Sequence, residues 1–397
     1  MKKPSDFQLF MVSVKLFFGI SYLSMPNTFG QTGLIGGILL FTVIITLNTF
    51  TMNQILAVSE QHHNIKSYSE LGERIFGGQG RILLSGSIWI KQICACISYL
   101  YFIATQLDFV ICQQSQLQYC YGNSTYMLLL IIPVIILSSI DSYKYLSYLS
   151  VPSVIIATIG MFAIFYYSFE QMAAGLTSQS PIVWFDLNGF FGRIGLAMYL
   201  FDGNAVVINI RAEARDKSKY PQILQKAVIF ALLLFITFST ICYSVFREQS
   251  KPIFTMNLNP ENALVIFIFI CVCINALTSY PIQILAAFAI VEKHDFFKSE
   301  SKVKAFLKKF MNRAFIIIVT TLISMTVPTF TDFLNIAGSI GSATVGFIFP
   351  QLLYMKQFPL ISTRKRFICW LILWFGALGG SYSIYFSVEK LMRGDYS

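Results

Sequence analysis

The sequence predicts an all-α integral membrane protein with about 11 transmembrane helices. Three properties of the 397-residue chain predict this class: 55% of its residues are hydrophobic, only 12% are charged, and its mean hydropathy is +0.65. Soluble proteins usually have about a quarter of their residues charged. The apolar residues form long blocks rather than the alternating pattern of membrane β-barrel strands. The blocks are therefore predicted to be membrane-spanning helices.

The apolar blocks define the predicted spans, numbered 1 to 11 in chain order. Each has about the length needed to cross a hydrocarbon core roughly 30 Å thick. Only short polar stretches separate them, so residues 1–397 are predicted to form a single transmembrane domain. Span 1 is followed by further spans rather than by a small-residue cleavage site, which argues against a removable signal peptide. The spans cover residues 9–30, 34–57, 81–106, 126–140, 145–168, 189–210, 224–246, 262–291, 314–333, 335–356 and 367–389.

The distribution of Lys and Arg predicts the orientation in the membrane. If the N-terminus faces the cytosol or the mitochondrial matrix, the inner segments hold 22 basic residues and the outer segments hold 4. Basic loops resist translocation, so this orientation is predicted. The net charge of +10 is then mostly an inner-face excess and gives no indication of a nucleic-acid partner.

The inner segment 298–313 has two interpretations. Basic residues alternate there with apolar ones, which predicts an amphipathic interfacial helix in contact with anionic lipid. The alternative is an ordinary basic inner loop. The basic positions are 298, 302, 304, 308, 309 and 313.

Cysteine and histidine give little indication of metal or catalytic chemistry. Cys112 and Cys120 lie in the outer loop between spans 3 and 4, where a disulfide can form if that side is oxidising. The other six cysteines fall inside spans and are interpreted as small apolar residues. The three histidines, at 62, 63 and 294, lie in loops without metal-ligand or triad partners. The sequence therefore predicts neither a metal site nor an enzyme.

Two predicted spans are interrupted in the middle of the membrane. Span 1 contains Gly19 and then Pro26, and span 6 contains Asp202 followed by Gly203. Irregular backbone at that depth survives only beside protein or a watery cavity, because unpaired amide groups in lipid are costly. Two such breaks five spans apart are typical of an inverted repeat. The predicted organisation is repeat one over about 9–168, repeat two over about 189–356 and an extra helix over about 367–389.

Broken helices expose backbone groups that suit an amino acid. Free amides at the N-terminus of one half-helix attract a carboxylate, and free carbonyls at the C-terminus of the other attract an ammonium or a small cation. The pair of breaks therefore predicts a receptor for a zwitterion. For Gly19 alone, the alternative is close helix packing.

Motifs along nearly the whole chain carry a family resemblance. Span 1 has a lysine followed by Gly-x-Ser-x-Leu-x-Met-Pro, close to a family pattern of Lys and Gly-x-Gly-x-Leu-x-Leu-Pro. The loop at 67–77 is similar to Tyr-x-Glu-Leu-Gly-x-x-x-Phe-Gly, and Phe-Asp-Gly at 201–203 is similar to Phe-Glu-Gly. Span 8 has Thr-Ser-Tyr-Pro-Ile-Gln at 278–283 for Thr-Tyr-Pro-Leu-Gln. The chain resembles the amino acid/auxin permease family, eleven-helix members of the amino acid–polyamine–organocation superfamily.

The resemblance implies an inverted five-helix-repeat, leucine-transporter-like fold with broken helices 1 and 6. It implies alternating access, with spans 1 and 6 rocking against spans 3, 4, 8 and 9, and secondary active transport of neutral amino acids coupled to Na⁺ or H⁺. It places the substrate carboxylate near residues 19–21 and the amine near 199–203, in a plasma or vacuolar membrane. The predicted substrate-binding residues are Gly19, Ile20, Ser21, Tyr22, Tyr199, Phe201, Asp202 and Gly203.

Charged side chains inside spans are functional candidates, because each is costly to place in a membrane. Asp202 is interpreted as a proton-coupling or ammonium-binding group, or as a structural cap on its half-helix. Lys91 either takes the place of a coupling ion or pairs with a carboxylate. Lys15, near the inner end of span 1, either snorkels to the interface or, by the family resemblance, acts at an inner gate. Arg193 is interpreted as an interfacial anchor.

Two hydroxyl residues of span 8 complete the predicted ion-coupling set. Thr278 and Ser279 offer hard oxygen ligands for sodium, and the alternative is that they hydrogen-bond across helices. The predicted ion-coupling residues are thus Asp202, Thr278, Ser279 and Lys91, with Na⁺ or H⁺ as the only expected co-substrate and no other cofactor.

A second function stays open at this point. The chain can instead be a transport-inactive, transporter-derived structural subunit of a large membrane assembly, such as a mitochondrial respiratory complex. The termini, shorter than is usual for the family, favour this alternative. The expected partners are then a membrane protein complex and the inner mitochondrial membrane, rather than an amino acid substrate in another bilayer.

Overall fold

The computed structural model describes residues 4–62, 65, 67–116, 118–139, 143–292 and 302–394. Every regular element within these ranges is helical, which confirms the prediction of an all-α chain. Within these ranges, seven continuous helical stretches are long and apolar enough to cross a membrane. They support an integral membrane protein, as expected from the hydropathy of the sequence.

The described helices are labelled α1 to α15. Those of the first half are α1 (Asp6–Lys15), α2 (Met25–Thr32), α3 (Leu34–Glu60), α4 (Tyr68–Gln114), α5 (Asn123–Ser138), α6 (Tyr143–Ala173), α7 (Leu187–Gly192) and α8 (Ile194–Leu200). Those of the second half are α9 (Val207–Glu213), α10 (Tyr220–Phe246), α11 (Ala263–Val291), α12 (Lys302–Ser324), α13 (Phe330–Ala337), α14 (Phe349–Gln357) and α15 (Thr363–Met392). A π-helical segment, Gly338–Ile348, joins α13 to α14.

Contacts between residues divide the chain into two compact units. The first unit contains both interrupted spans, together with α3, α10, α14 and α15. The second contains α4 from Gln92 onward, with α5, α6, α11 and α12. The first consists of Met1–Lys91, Ser178–Ser250 and Leu334–Ser397, and the second of Gln92–Thr177 and Lys251–Phe333.

In the first unit, α8 packs very closely against the π-helical segment. A Cβ atom on Gly338 would collide with the carbonyl oxygen of Gly195, and one on Gly195 would collide with the Ser339 hydroxyl. Asn335 adds polar contacts, because its side chain accepts from the Leu196 amide at 2.6 Å and donates to the Gly192 carbonyl at 2.7 Å. Glycine is therefore required at positions 195 and 338 by packing.

In the second unit, α6 and α11 pack together through polar as well as apolar residues. The Ser153 hydroxyl lies 2.7 Å from the side-chain oxygen of Asn275. In the same unit, Cys112 and Cys120 form a disulfide. The Gly122 amide, close to that disulfide, donates to the Asp108 carboxylate at 3.0 Å. The loop that follows α4 is thus fixed at two points.

The predicted boundary between spans 9 and 10, at residue 334, is wrong. The structure ends α12 at Ser324 and starts α13 at Phe330. The intervening stretch contains Pro328, which lacks an amide hydrogen and ends helices. The apolar residues on both sides concealed this break from a hydropathy reading. Helix α4 consists of two helices that meet at Gly77, where φ is +70°, and the second of them contains the predicted span 3 at 81–106.

The basic segment 298–313 falls partly outside the described residues. From residue 302 onward it is helical and forms the first half of α12, so it is continuous with a span rather than a separate helix. Arg313 is buried and makes a bidentate ion pair with Glu292, at 2.6 and 2.8 Å. Phe306 and Val303, in contrast, are 63% and 76% exposed. Contact with anionic lipid stays a prediction.

Candidate functional site

The first break interrupts span 1 where the sequence predicted it. Helix α1 ends at Lys15, residues 16–20 are not helical, and a 3₁₀ turn at Ser21–Ser24 leads into α2. The Gly19 amide bonds only two residues back, to the Phe17 carbonyl at 3.0 Å. The half-helix that starts at Ser21 therefore directs its first amide groups toward the break.

The second break interrupts span 6 around Asp202 and Gly203. Helix α8 ends at Leu200 and α9 begins at Val207, with turns between them. The Ala197 carbonyl accepts from the Phe201 amide at 3.3 Å, and the carbonyls of the residues after Ala197 have no continuing helix to supply amide partners. Span 6 thus presents a half-helix C-terminus, as its sequence predicted.

The two breaks lie against each other in the first unit. The rings of Phe17 and Phe201 are 6.4 Å apart between centroids. A Cβ atom on Gly203 would lie 3.0 Å from a methyl carbon of Leu16 and 3.0 Å from the terminal carbon of Met52. The structure therefore places the breaks together, with the side chains of Leu16 and Met52 filling the space at Gly203.

Aromatic side chains surround this meeting point. Phe201 is fully buried and contacts Phe41 and Phe235, with centroids 5.7 and 6.3 Å apart. Tyr22 is also buried and stacks on Phe235 of α10 at 6.1 Å. The predicted substrate residues Tyr22 and Phe201 thus form part of an apolar wall in this structure.

Asp202 forms a buried ion pair with Lys91. The Lys91 ammonium nitrogen lies 2.7 Å from one carboxylate oxygen, and the side chains are only 13% and 1% exposed. The other carboxylate oxygen accepts from the Asn204 amide at 3.1 Å. Of the two arrangements expected for Lys91, the structure has the pairing with a carboxylate.

Asn48 of α3 forms side-chain hydrogen bonds with the second break. Its amide nitrogen donates to the Phe201 carbonyl, and its side-chain oxygen accepts from the amide nitrogen of Asn204. Both asparagines are buried. The Phe201 carbonyl can only accept, so the side-chain nitrogen of Asn48 must face it. This fixes which side-chain atom of Asn48 is the oxygen and therefore which atom of Asn204 is the nitrogen. Asn48 and Asn204 were not among the predicted site residues, although two buried asparagines within apolar spans are a usable signal.

The π-helical segment contacts this site through two glycines. A Cβ atom on Gly341 would lie 2.9 Å from the Cβ of Lys91, and one on Gly346 would lie 2.7 Å from the side-chain nitrogen of Asn204. The Tyr68 hydroxyl donates to the Val345 carbonyl at 3.2 Å. π-Helical turns occur often at functional sites. Here the segment packs directly against Lys91 of the ion pair and against Asn204.

Lys15 is the last residue of α1, directly before the first break. Its ammonium nitrogen is buried, and no hydrogen-bond partner for it lies among the described residues. Its role at an inner gate stays a prediction.

The interpretation of Arg193 as an interfacial anchor is wrong, because its side chain is fully buried. It donates to the Gln31 side chain, and its guanidinium carbon lies 5.4 Å from the centre of the Phe386 ring.

The predicted sodium ligands Thr278 and Ser279 belong to the second unit. The Thr278 hydroxyl lies 2.9 Å from the Ser153 hydroxyl and 2.7 Å from the Ile274 carbonyl oxygen. Ser279 is buried. The Thr278 hydroxyl therefore takes part in bonds within and between helices, which was the alternative interpretation. A role as sodium ligands stays a prediction.

Comparison with known proteins identifies the family. The model of the transmembrane amino acid transporter protein family matches residues 2–389 of the chain. The chain belongs to the transmembrane amino acid transporter family. This confirms the family resemblance of the motifs and the prediction that the chain is not an enzyme.

Similar proteins from a plant and a yeast have names that fit the family. The chain is 25% identical to amino acid transporter AVT3A of Arabidopsis thaliana over 86% of its own length and 79% of the relative. It is 26% identical to amino acid transporter AVT3C of the same plant, over 86% and 80%. It is 21% identical to vacuolar amino acid transporter 4 of Saccharomyces cerevisiae, over 96% and 58%. These comparisons give no support to a transport-inactive structural subunit.

Proposed function

We propose that this protein is a secondary active transporter of neutral amino acids that works by alternating access. The observation that carries the proposal is the meeting of the two breaks, seen in the contact of Phe17 with Phe201 and of Leu16 with Gly203. One break offers the amides of a half-helix N-terminus and the other the carbonyls of a C-terminus. Together they suit the carboxylate and ammonium of one zwitterion.

The electrostatics of the site support neutral substrates. The charges of Lys91 and Asp202 cancel each other at 2.7 Å, so the pair adds no net charge to the site. A substrate with a charged side chain would need a further counter-charge in this poorly hydrated surrounding. The relatives' names, which specify amino acids without a class, agree with an amino acid substrate.

We propose a proton rather than sodium as the coupling ion. The carboxylate of Asp202 already has an ammonium beside it, and sodium would have to displace Lys91 to reach that oxygen. A proton can instead move onto the carboxylate and release Lys91 from it. Lys91 then acts as the built-in cation of the site, and Asp202 is the proton-coupling group.

The fold proposed for the whole chain is the inverted five-helix repeat with eleven spans. The interruption of span 1 between α1 and α2, and of span 6 between α8 and α9, supports this arrangement. The single transmembrane domain then consists of repeat one at about 9–168, repeat two at about 189–356 and the extra helix at about 367–389.

A vacuolar membrane is the proposed location, with the N-terminus in the cytosol. The basic inner segments support this orientation, and it places the Cys112–Cys120 disulfide on the opposite side. A disulfide is stable in an oxidising compartment and rare in the cytosol. The name of the yeast relative, vacuolar amino acid transporter 4, supports the same membrane.

Uptake into proteoliposomes tests the coupling. We expect an imposed pH gradient to drive accumulation of a labelled neutral amino acid equally in sodium and in choline buffer. Asp202→Asn is expected to lose the pH dependence, because an amide cannot take up the proton. Accumulation that requires sodium, or an unchanged pH dependence in Asp202→Asn, would reject proton coupling.

A further inference from the structure

We propose that the side-chain oxygen of Asn204 accepts a hydrogen bond from the ammonium group of the transported amino acid. The inference rests on the proposed function and names the residue that recognises the amine. It moves this role away from Asp202, the residue that the sequence favoured.

The oxygen atoms nearest to Asn204 in the chain already have partners. One carboxylate oxygen of Asp202 is paired with the Lys91 ammonium at 2.7 Å, and the other accepts from the Asn204 backbone amide at 3.1 Å. The Phe201 carbonyl accepts from Asn48. A substrate ammonium at these atoms would have to displace an existing bond.

The side-chain oxygen of Asn204 is different. Asn204 is fully buried, and its amide nitrogen is engaged with Asn48. The oxygen is buried and has no hydrogen-bond partner among the described residues. The assignment of this atom as oxygen follows from the bond to Asn48. The Asn48 atom that faces Asn204 is an oxygen, so the Asn204 atom bonded to it must be the nitrogen donor, and the other side-chain atom of Asn204 is the oxygen.

A buried acceptor without a donor is unfavourable and therefore informative. Most buried polar atoms in proteins are hydrogen-bonded, and an exception calls for an explanation such as a ligand. The oxygen lies on the residue directly after Gly203, at the half-helix C-terminus that suits a positive charge. An ammonium group supplies both the charge and the N–H donors, so it fits this acceptor.

Two nearly isosteric substitutions separate recognition from support of the fold. Asn204→Asp and Asn204→Leu both remove the bond that the amide nitrogen donates to Asn48. Only Asn204→Asp keeps an oxygen acceptor. We expect Asn204→Leu to bind the amino acid about 10- to 100-fold more weakly than wild type, the range for loss of a hydrogen bond to a charged group. We expect Asn204→Asp to bind at least about 10-fold more tightly than Asn204→Leu.

Binding is measured on purified full-length protein with the labelled neutral amino acid that binds wild type best. Melting temperatures without ligand show whether the variants are folded. Equal affinities of the two variants would reduce Asn204 to a structural role and overturn the inference, as would wild-type affinity in Asn204→Leu. If wild type binds no amino acid at all, the proposed function itself fails.

A measurement on wild type keeps the inference testable even if the variants do not fold. The N,N,N-trimethyl derivative of the same amino acid keeps the positive charge but has no N–H donor. We expect it to bind at least about 10-fold more weakly than the parent compound, and equal affinity would contradict the inference. Stabilisation of wild type by NaCl over choline chloride without amino acid, absent in Asn204→Leu, would assign the oxygen to a metal cation and also overturn it.

Discussion

The ammonium nitrogen of Lys91 lies 2.7 Å from a carboxylate oxygen of Asp202, and both side chains are almost completely removed from solvent. Lys91 comes from the long helix α4, and Asp202 from the interrupted segment between α8 and α9. Each charge alone would be costly inside a membrane. The two therefore depend on each other, and the conformation of the break is tied to the position of a residue on another helix.

Removal of one partner of this pair is expected to destabilise the protein strongly. Lys91→Met leaves the buried carboxylate of Asp202 without a partner, and Asp202→Asn leaves the ammonium of Lys91 without one. We expect Lys91→Met to lower the free energy of unfolding by about 3–5 kcal/mol. The double variant is expected to regain most of this loss. Thermal unfolding in detergent measures all three.

The exposed pair of Arg81 and Glu73 is the matched control for that experiment. Its atoms are 3.0 Å apart, but its side chains are 45% and 44% exposed. Alanine at both positions is expected to change stability by less than about 1 kcal/mol. A double variant of Lys91 and Asp202 no more stable than Lys91→Met alone would show that the two charges are not coupled.

Gly341 is expected to be needed for the position of Lys91. In Gly341→Ala the new methyl group would lie 2.9 Å from the Cβ of Lys91 and 3.3 Å from its Cα, so α4 or the π-helical segment must move. We expect a loss of about 1–3 kcal/mol in stability, typical of overpacking, and a loss of pH dependence in uptake. Gly86→Ala, on α4 with no atom within 4 Å of the new methyl group, is the control. Equal effects of the two substitutions would contradict this role.

The disulfide gives a test of orientation. In sealed vesicles, Cys112 and Cys120 are expected to react with a membrane-impermeant maleimide only after reduction, and only from the non-cytosolic side. The buried cysteines at 96, 242 and 271 are expected to stay unreacted. Cys112→Ser with Cys120→Ser should abolish the labelling. Labelling from the cytosolic side would reverse the proposed orientation.

The first half of α12 is expected to bind anionic lipid. Lys304 and Lys308 lie there beside the exposed side chain of Phe306. A lysine near an anionic membrane surface contributes about 1 kcal/mol. Lys304→Gln with Lys308→Gln should therefore lower the melting temperature in nanodiscs of anionic lipid and leave it unchanged in zwitterionic lipid. The same change in both lipids would assign the two lysines a purely structural role.

Hydropathy and charge were enough to predict the helical membrane class and both broken helices. The breaks could be predicted because glycine, proline and an acid in the middle of an apolar span are incompatible with a continuous lipid-exposed helix. The boundary near Pro328 was missed, because the residues on either side of it are equally apolar and no charge marks the end of α12.

The partners within the site could not be predicted from the sequence. Lys91 and Asp202 are far apart in the chain, and only the packing of α4 beside the second break brings them together. Asn48 and Asn204 were missed for the same reason, since the bond between their side chains joins residues 156 positions apart in the chain. The buried state of Arg193 depends on Gln31 and Phe386, which come from opposite ends of the chain.

Counterflow tests most directly whether amino acids cross the membrane through this protein, because it requires no assumption about the coupling ion. Proteoliposomes loaded with an unlabelled neutral amino acid are diluted into a trace of the labelled form. We predict transient accumulation that saturates with concentration for at least one neutral amino acid, and at least about 10-fold weaker apparent affinity in Asn204→Leu. No accumulation above protein-free liposomes for any amino acid of a full panel, from folded protein, would contradict the proposed function.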